Sequence, residues 1–330
     1  MIVGTAFARA GLLGNPSDGY HGKIIAVSVR NFAARVVLED SPEFRIVASA
    51  EDEEIYPTVR AFAAKTRLYG YYGGVRLLKA AVRKFIDYCD GRGLALRDGR
   101  FTLRYASDIP RQLGLGGSSA LVTAAMRTLM AFYGVEIPIE LLPTLILSAE
   151  RDELEINAGY MDRVIQAYEG CVYMDLAEPL IRERGYGRYE RLDCGLLPDL
   201  YLAYKISLGK VSGRVLNEIR RNYDLGDART IATLGKIASL ADAGKAALAA
   251  GDRALFAQLL DENFDLRQAI MTISPGNLEM IRTARACGAS ASYAGSGGSI
   301  IGIYEGDAMF GRLKAGLEAL GATVIKPAVQ

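Results

Sequence analysis

The sequence predicts an α+β protein of two domains, and three observations carry that reading. The chain has 330 residues, enough for two cores of ordinary size. Its first part alternates long strand-type runs with helical ones. Near residue 200 the pattern changes to a mostly helical block followed by a smaller mixture of helices and strands. The expected domains are residues 1–195 and 196–330.

The elements follow in order. Residues 2–13 read as a strand that runs into a turn rich in Gly, Pro, Asn, Ser and Asp. Ile25, Val27 and Val29 alternate with other residues, and so do Phe32, Ala34, Val36 and Leu38. The phase slips near Asn31, which predicts one long strand with a bulge. Residues 44–48 and 101–107 read as strands, and 58–66 and 74–88 as helices. In the second helix Val75, Leu78, Val82, Phe85 and Ile86 share one face. Helices are expected over 120–133 and 139–155, with a third starting near Tyr160. Strands are expected over 170–175, 188–193 and 200–206, then helices through 211–272. Helix 276–286, strands 290–294 and 299–304, helix 307–319 and strand 322–326 close the chain.

Composition excludes several function classes. Half the residues are apolar and 23% are charged, which is a folded composition rather than a disordered one. Lys plus Arg number 39 against 38 acidic residues, a formal net charge of +1. No broad field gathers nucleic acid or anionic membrane, so neither is expected as a partner. Any phosphate site must be built locally. Cys89, Cys171, Cys194 and Cys287 are too scattered for a metal or redox pair, and they read as reduced thiols of a cytoplasmic protein. A single histidine, His21, argues against a His-based triad or a His-rich metal site. Arg9 interrupts the apolar N-terminal stretch, so no signal peptide is expected. No run approaches the roughly 18 apolar residues of a membrane span.

The strongest local signal is Pro110 and, after three intervening residues, Gly114, Leu115, Gly116, Gly117, Ser118, Ser119 and Ala120, running into a helix. Glycines bring the backbone close to a ligand with no Cβ in the way. A helix start adds unpaired N–H groups and a partial positive charge, which suits phosphate. The serines add hydroxyls for an anion or a metal ion. Alone, the same loop also reads as a turn with a Ser cap. It is neither a Walker loop nor a dinucleotide fingerprint, because the spacing differs.

Two more segments resemble motifs of the GHMP kinases. One is Ala8-Arg9-Ala10-Gly11-Leu12-Leu13-Gly14-Asn15-Pro16-Ser17-Asp18. It is similar to the family's opening strand and its Gly-Glu-His-x-Asp turn. The other is Ala289-Ser290-Ala291-Ser292-Tyr293-Ala294-Gly295-Ser296-Gly297-Gly298-Ser299, similar to the family's late glycine segment. With the Gly/Ser loop between them, the three stand in the family's order. Asn15, Pro16, Gly117 and Ser296 depart from the usual residues. These departures, with Tyr71-Tyr72-Gly73-Gly74-Val75-Arg76-Leu77-Leu78, resemble the plant-type glucuronokinases.

That resemblance implies a ribosomal-protein-like β/α N-terminal domain with long bulged strands. It also implies a ferredoxin-like α+β C-terminal domain with inserted helices. The activity implied is transfer of the γ-phosphate of ATP, with Mg2+, to the anomeric hydroxyl of a sugar acid, D-glucuronate first. A kinase for another small alcohol, or a non-catalytic binding protein on the same fold, are the alternatives. By resemblance Asp162 faces the attacking hydroxyl and Arg9 stands near it; an Arg in so apolar a strand needs a partner, for which Asp162 is the candidate, unless it reaches solvent from the strand edge. On its own Asp162 also reads as a helix N-terminal acid. Ser119 and Glu150 are the implied metal ligands, although Glu150 also fits a solvated charged run. Asp18 matches the family's sugar-contacting acid, and it is also a turn former. Gly295, Ser296 and Gly297 are expected at the substrate. Lys23, Arg111 and Arg163 are candidates for the cation a uronate carboxylate needs. Tyr69, Tyr71 and Tyr72 are candidates to flank adenine, or simply pack.

Overall fold

The computed structural model describes residues 1–49, 52, 57–60, 73–209 and 212–330, with 212–216 as backbone. Two sheets organise these residues. The first holds β1 (Ile2–Leu13), β2 (Lys23–Asp40), β3 (Arg45–Ile46), β4 (Phe101–Ser107), β5 (Cys171–Asp175) and β6 (Arg188–Leu192). The second holds β7 (Leu200–Tyr204), β8 (Ser292–Tyr293), β9 (Ser299–Ile303) and β10 (Thr323–Ile325).

β2 is the spine of the first sheet. Its first half pairs with β5, its second half with β4, and β1 runs antiparallel along it. The expected bulge is present: Ala8 pairs with Val29 while Phe7 pairs with Ala33, so β2 carries extra residues around Asn31. The second sheet has the order β10-β7-β9-β8. Numbered within that half, this is 4-1-3-2, the order of a ferredoxin-like βαββαβ unit.

The helices are α1 (Gly74–Gly91), α2 (Gly117–Tyr133), α3 (Leu142–Arg151), α4 (Met161–Tyr168) and α5 (Glu178–Arg184) in the first part. In the second part they are α6 (Ser212–Asp224), α7 (Ala228–Ala250), α8 (Arg253–Ile270), α9 (Pro275–Ala286) and α10 (Gly306–Ala319). The helix expected over 139–155 is shorter at both ends. Leu141 N–H closes a turn onto the Pro138 carbonyl, and Glu155 adopts a φ of 54°, which no helix accommodates. The strand expected over 290–294 is trimmed to Ser292–Tyr293. Sequence periodicity does not announce α5, because its seven residues bury no side chain and so carry no apolar stripe. Most of the helix expected over 58–66 lies outside the described residues.

Two close approaches position the site. A Cβ on Gly4 would lie 2.1 Å from the Ala124 carbonyl oxygen, so α2 packs directly on the β1 backbone there. That contact sets the α2 N-terminus beside the middle of β1. α7 docks on the same sheet from the second part. A Cβ on Gly244 would lie 2.1 Å from Leu13 Cδ1, and Ile25 is adjacent. One core cluster therefore runs from Leu12, Leu13 and Ile25 into Ala241, Leu248 and Phe256, joining the two parts across an apolar contact.

Candidate active site

β1 pairs with β2 on one edge, and its other edge recruits both glycine loops. Arg9 N–H donates to the Leu115 carbonyl at 3.1 Å, and Gly11 N–H donates to the Ala294 carbonyl at 2.7 Å. These N–H groups are two residues apart, so they point the same way from the strand. An edge strand must satisfy its outward N–H groups. Here the carbonyls that do so belong to the loop before α2 and the loop after β8. Three segments separated by about a hundred or more residues in sequence thereby meet at one strand edge.

The Arg9 side chain repeats the pattern. Its Nη1 donates to the carbonyls of Gly114, through a short contact, and of Ala294, at 3.2 Å. Its Nε donates to Asp162 Oδ1 at 2.7 Å. Asp162 is in the first turn of α4. Its neighbour Arg163 turns the other way and forks onto Glu150 Oε2, with Nε at 2.7 Å and Nη2 closer still. Arg163 Nη1 also lies 3.7 Å from Asp162 Oδ2. The result is an alternating chain, Arg9, Asp162, Arg163, Glu150, in which every buried charge faces an opposite one.

Burial opposes ionisation of Asp162, but the guanidiniums of Arg9 and Arg163 outweigh it and hold the carboxyl below its ordinary range. Glu150 is fully buried, and burial wins there: its pKa is raised despite Arg163. Asp18 sits in a one-turn helix, Ser17–Tyr20, and accepts from Met161 N–H at 3.1 Å. Its pKa is also raised, first by burial and further by Asp162. A Cβ on Gly159 would lie 2.0 Å from Asp18 Oδ2, so that carboxylate is pressed against bare backbone.

The loop before α2 has Gly114 at φ 68° and Gly116 at φ 76°, the left-handed region that favours glycine. No side chain caps α2. Its first N–H groups are thus available to an anion. Gln166 Nε2 clamps the loop through the Gly116 carbonyl at 2.8 Å. Asn263 on α8 holds the opening turn from both sides. Its Oδ1 accepts from Gly14 N–H at 2.7 Å, and its Nδ2 donates to the Asn15 carbonyl at 3.0 Å.

A cleft brings most of the expected residues together. Arg9, Asp18, Asp162, Arg163, Pro110, Gly114 to Ser118, Gly295 and Ser296 all line it. Others are placed differently. Lys23 is not on the cleft and pairs with Asp242 of α7 at 2.7 Å. Gly297 lies behind the lining, against the Tyr293 ring. Ala120 is fully buried in the core and offers no side-chain contact. Arg163 lines the cleft but is committed to Glu150, which makes it a structural cation rather than one for a carboxylate ligand. Ser119 is committed too, donating to the Gly116 carbonyl at 3.0 Å and lying 3.5 Å from Asp162 Oδ2. The hydroxyl nearer to Glu150 is that of Ser118, which lines the cleft. Arg111 is on the lining beside Pro110. Tyr69, Tyr71 and Tyr72 lie outside the described residues.

The residues present suit a magnesium ion. Glu150 Oε1 is buried without a hydrogen bond of ordinary geometry, and the Ser118 hydroxyl is beside it. Among the described residues no group of three or more His, Cys, Asp or Glu is placed to hold a metal ion by itself. One carboxylate and one hydroxyl match a small hard cation that takes its remaining oxygens from phosphates and water.

Sequence reasoning missed Arg220, Tyr20, Asn157, Asn263, Gln166 and Arg267. Asn263 and Arg267 carried a usable signal. They lie on the buried stripe of α8 with Phe256, Leu260 and Phe264, where polar residues on an apolar face mark inward contacts. Arg267 has no carboxylate partner among the described residues. Its Nη2 donates to the Gly295 carbonyl at 2.9 Å, its guanidinium lies 5.0 Å from the Tyr293 ring centre, and burial pushes its pKa down to about 10. It is a buried positive charge directly behind the late glycine loop.

Comparison with known proteins places this arrangement. Residues 76–170 match the model of the GHMP kinases N terminal domain, and residues 245–319 match that of the GHMP kinases C terminal. The chain is 41% identical to a probable glucuronokinase 2 of Arabidopsis thaliana over 303 residues, 90% of this chain and 82% of that protein. It is 38% identical to glucuronokinase 1 of the same plant, over 90% of this chain and 83% of that one. The crystal structure of Streptococcus pneumoniae phosphomevalonate kinase superposes with a TM-score of 0.76, covering 99% of each chain at 17% identity.

Proposed function

The chain belongs to the GHMP kinase family, and we propose on that footing that it phosphorylates the anomeric hydroxyl of a sugar acid, D-glucuronate first, using ATP. The observation that carries the reading is the Arg9–Asp162 pair, held at one strand edge between the two glycine loops. The glucuronokinase relatives support the substrate class.

The α2 N-terminus and the Gly114–Ser118 backbone bind the nucleotide phosphates. Leu77, Tyr105, Ile109 and Leu121 form the apolar part of the cleft and take the base. Ser118 and Glu150 would hold magnesium, which draws charge from the β- and γ-phosphates when bound. Asp18 accepts from sugar hydroxyls. Asp162 accepts a hydrogen bond from the attacking hydroxyl and aims its oxygen at the γ-phosphorus. With its pKa lowered, Asp162 is a weak proton acceptor at neutral pH, so its contribution is alignment. That suits a loose phosphoryl transition state, which asks for positioning more than for early deprotonation. Arg9 keeps Asp162 ionised and adds positive charge beside the transferring group.

An ADP-release assay across uronates, aldoses and mevalonate tests this reading. Turnover of D-glucuronate is expected to exceed that of D-glucose by at least about tenfold in kcat/KM. Activity confined to neutral sugars or to mevalonate refutes it.

Asp18 gives a pH signature. Its raised pKa places its titration above the ordinary aspartate range. It accepts from two hydroxyls only when ionised, so kcat/KM falls as pH drops through that pKa. Asp18→Asn is expected to lower kcat/KM by roughly 30-fold and to remove that acid limb. An identical limb in the variant assigns it to another group.

A further inference from the structure

We propose that Arg220, on α6, is the residue that selects a sugar acid over a neutral sugar by pairing with the substrate carboxylate. The inference rests on the kinase reading and adds the specificity determinant that it lacks.

The carboxylate of a uronate needs a cation, and among the described residues four arginines line the cleft. Arg9 is committed to Asp162, and Arg163 to Glu150. Arg111 follows Pro110 in the loop that leads to the phosphate-binding start of α2. Arg220 comes from the other part of the chain and lies against the Asp18 turn, on the sugar side. Its Nη2 donates to the Gly19 carbonyl at 2.7 Å, next to Asp18. Among the described residues its carboxylate contact is Asp224, one turn along the same helix at 3.6 Å. Such exposed i,i+4 pairs hold weakly and yield readily to a better anion.

The guanidinium is also held in place. It lies 4.4 Å from the Tyr20 ring centre and 5.9 Å from that of Tyr223, and those two rings pack at 4.7 Å. A planar cation fixed on aromatic faces presents its fork with little entropy left to lose. Asn217, three residues earlier on α6, accepts from Asn157 Nδ2 at 3.1 Å, and Asn157 also lines the cleft. The same helix face is thus tied to both walls of the sugar end.

Substrate geometry agrees. In a pyranuronate the anomeric carbon and the carboxylate-bearing carbon flank the ring oxygen. A cation for the carboxylate must therefore stand to one side of the phosphoryl acceptor. With the anomeric hydroxyl at Asp162, Arg220 is the cation held at the Asp18 end of the cleft, through the Gly19 carbonyl. Two acidic residues in the same cleft make an unpaired substrate carboxylate unfavourable without it.

The test compares D-glucuronate with D-glucuronamide, its neutral amide, as ligands of the full chain in the presence of a non-hydrolysable ATP analogue. Wild type is expected to prefer the acid. Arg220→Gln is expected to reduce that preference by roughly 30-fold, leaving amide and nucleotide affinities within about threefold of wild type. Arg220→Lys keeps the charge without the fork and is expected to retain part of the preference. Unchanged nucleotide affinity shows that both variants are folded. A preference for the acid that persists in Arg220→Gln overturns the proposal, and so does equal loss of acid and amide. If wild type turns over no uronate at all, the sugar-acid reading fails first. If wild type turns it over and the variant keeps the preference, only the role of Arg220 fails.

Discussion

Asp162→Asn is expected to lower kcat by about 10³-fold while nucleotide binding stays within a few-fold of wild type. The substitution is isosteric, so it keeps the position of Oδ1 and its bond from Arg9 Nε. What it removes is charge. Asp162 stands between Arg9 and Arg163, at 2.7 and 3.7 Å. Neutralising it leaves Arg9 as a buried cation whose remaining acceptors are carbonyl oxygens. The attacking hydroxyl also loses its anionic acceptor and with it the alignment toward phosphorus. Some stability is lost too. Deleting one partner of a buried pair costs about 3–5 kcal/mol, and the retained amide oxygen makes the loss smaller here. Steady-state kinetics at saturating ATP and sugar acid, with a nucleotide titration and a melting curve, separate these effects. A kcat within tenfold of wild type would remove Asp162 from the reaction.

Gly295→Ala is the second large effect, and it is steric. A Cβ there would lie 2.0 Å from the Gly114 carbonyl oxygen and 2.8 Å from Arg9 Nη1. Both obstacles are held: one is backbone of the phosphate loop, and the other is the guanidinium that bridges the two loops. Neither can swing aside like the end of an exposed side chain. The loops must separate by about an ångström, and a shift of that size between reacting groups costs about 100-fold in rate. We expect kcat/KM to fall by about that factor, with overpacking lowering stability by about 1–3 kcal/mol. Alanine at Gly251, where a Cβ meets nothing within 4 Å, controls for the stability side, since its strain is only that of a residue at φ 69°. Comparable losses of kcat/KM in both variants would show that loop contact is not what matters at Gly295.

Much of this was legible in the chain. Local rules suffice for β2, whose phase slip at Asn31 marks the bulge. They also suffice for the loop before α2, where glycines and a helix start announce an anion site. The ordered trio of motifs then pointed to the chemistry and to Arg9 and Asp18, and the family resemblance of the segment around Gly159 pointed to Asp162. Each of these signals is written in neighbouring residues; periodicity and turn chemistry decode the bulge and the loop, and the family resemblance supplies the chemistry and the roles of the three charged residues.

Other features depend on contacts that no local pattern encodes. Glu150 reads as one acid in a charged run until Arg163, thirteen residues on, folds back to pair with it. Ser118 and Ser119 are adjacent and alike in sequence, and only the start of α2 turns one toward Glu150 and the other toward Asp162. Lys23 and Arg220 are both plausible cations by type, yet β2 turns one to Asp242 on α7 while α6 lays the other over Tyr20. Side-chain partners across hundreds of residues are chosen by packing geometry, since a charge pairs with whatever the fold places within a few ångströms. The sequence therefore determined the fold, the reaction class and the central Arg9–Asp162 pair. The tertiary structure decided which remaining charges are spent on one another and which are left for a ligand.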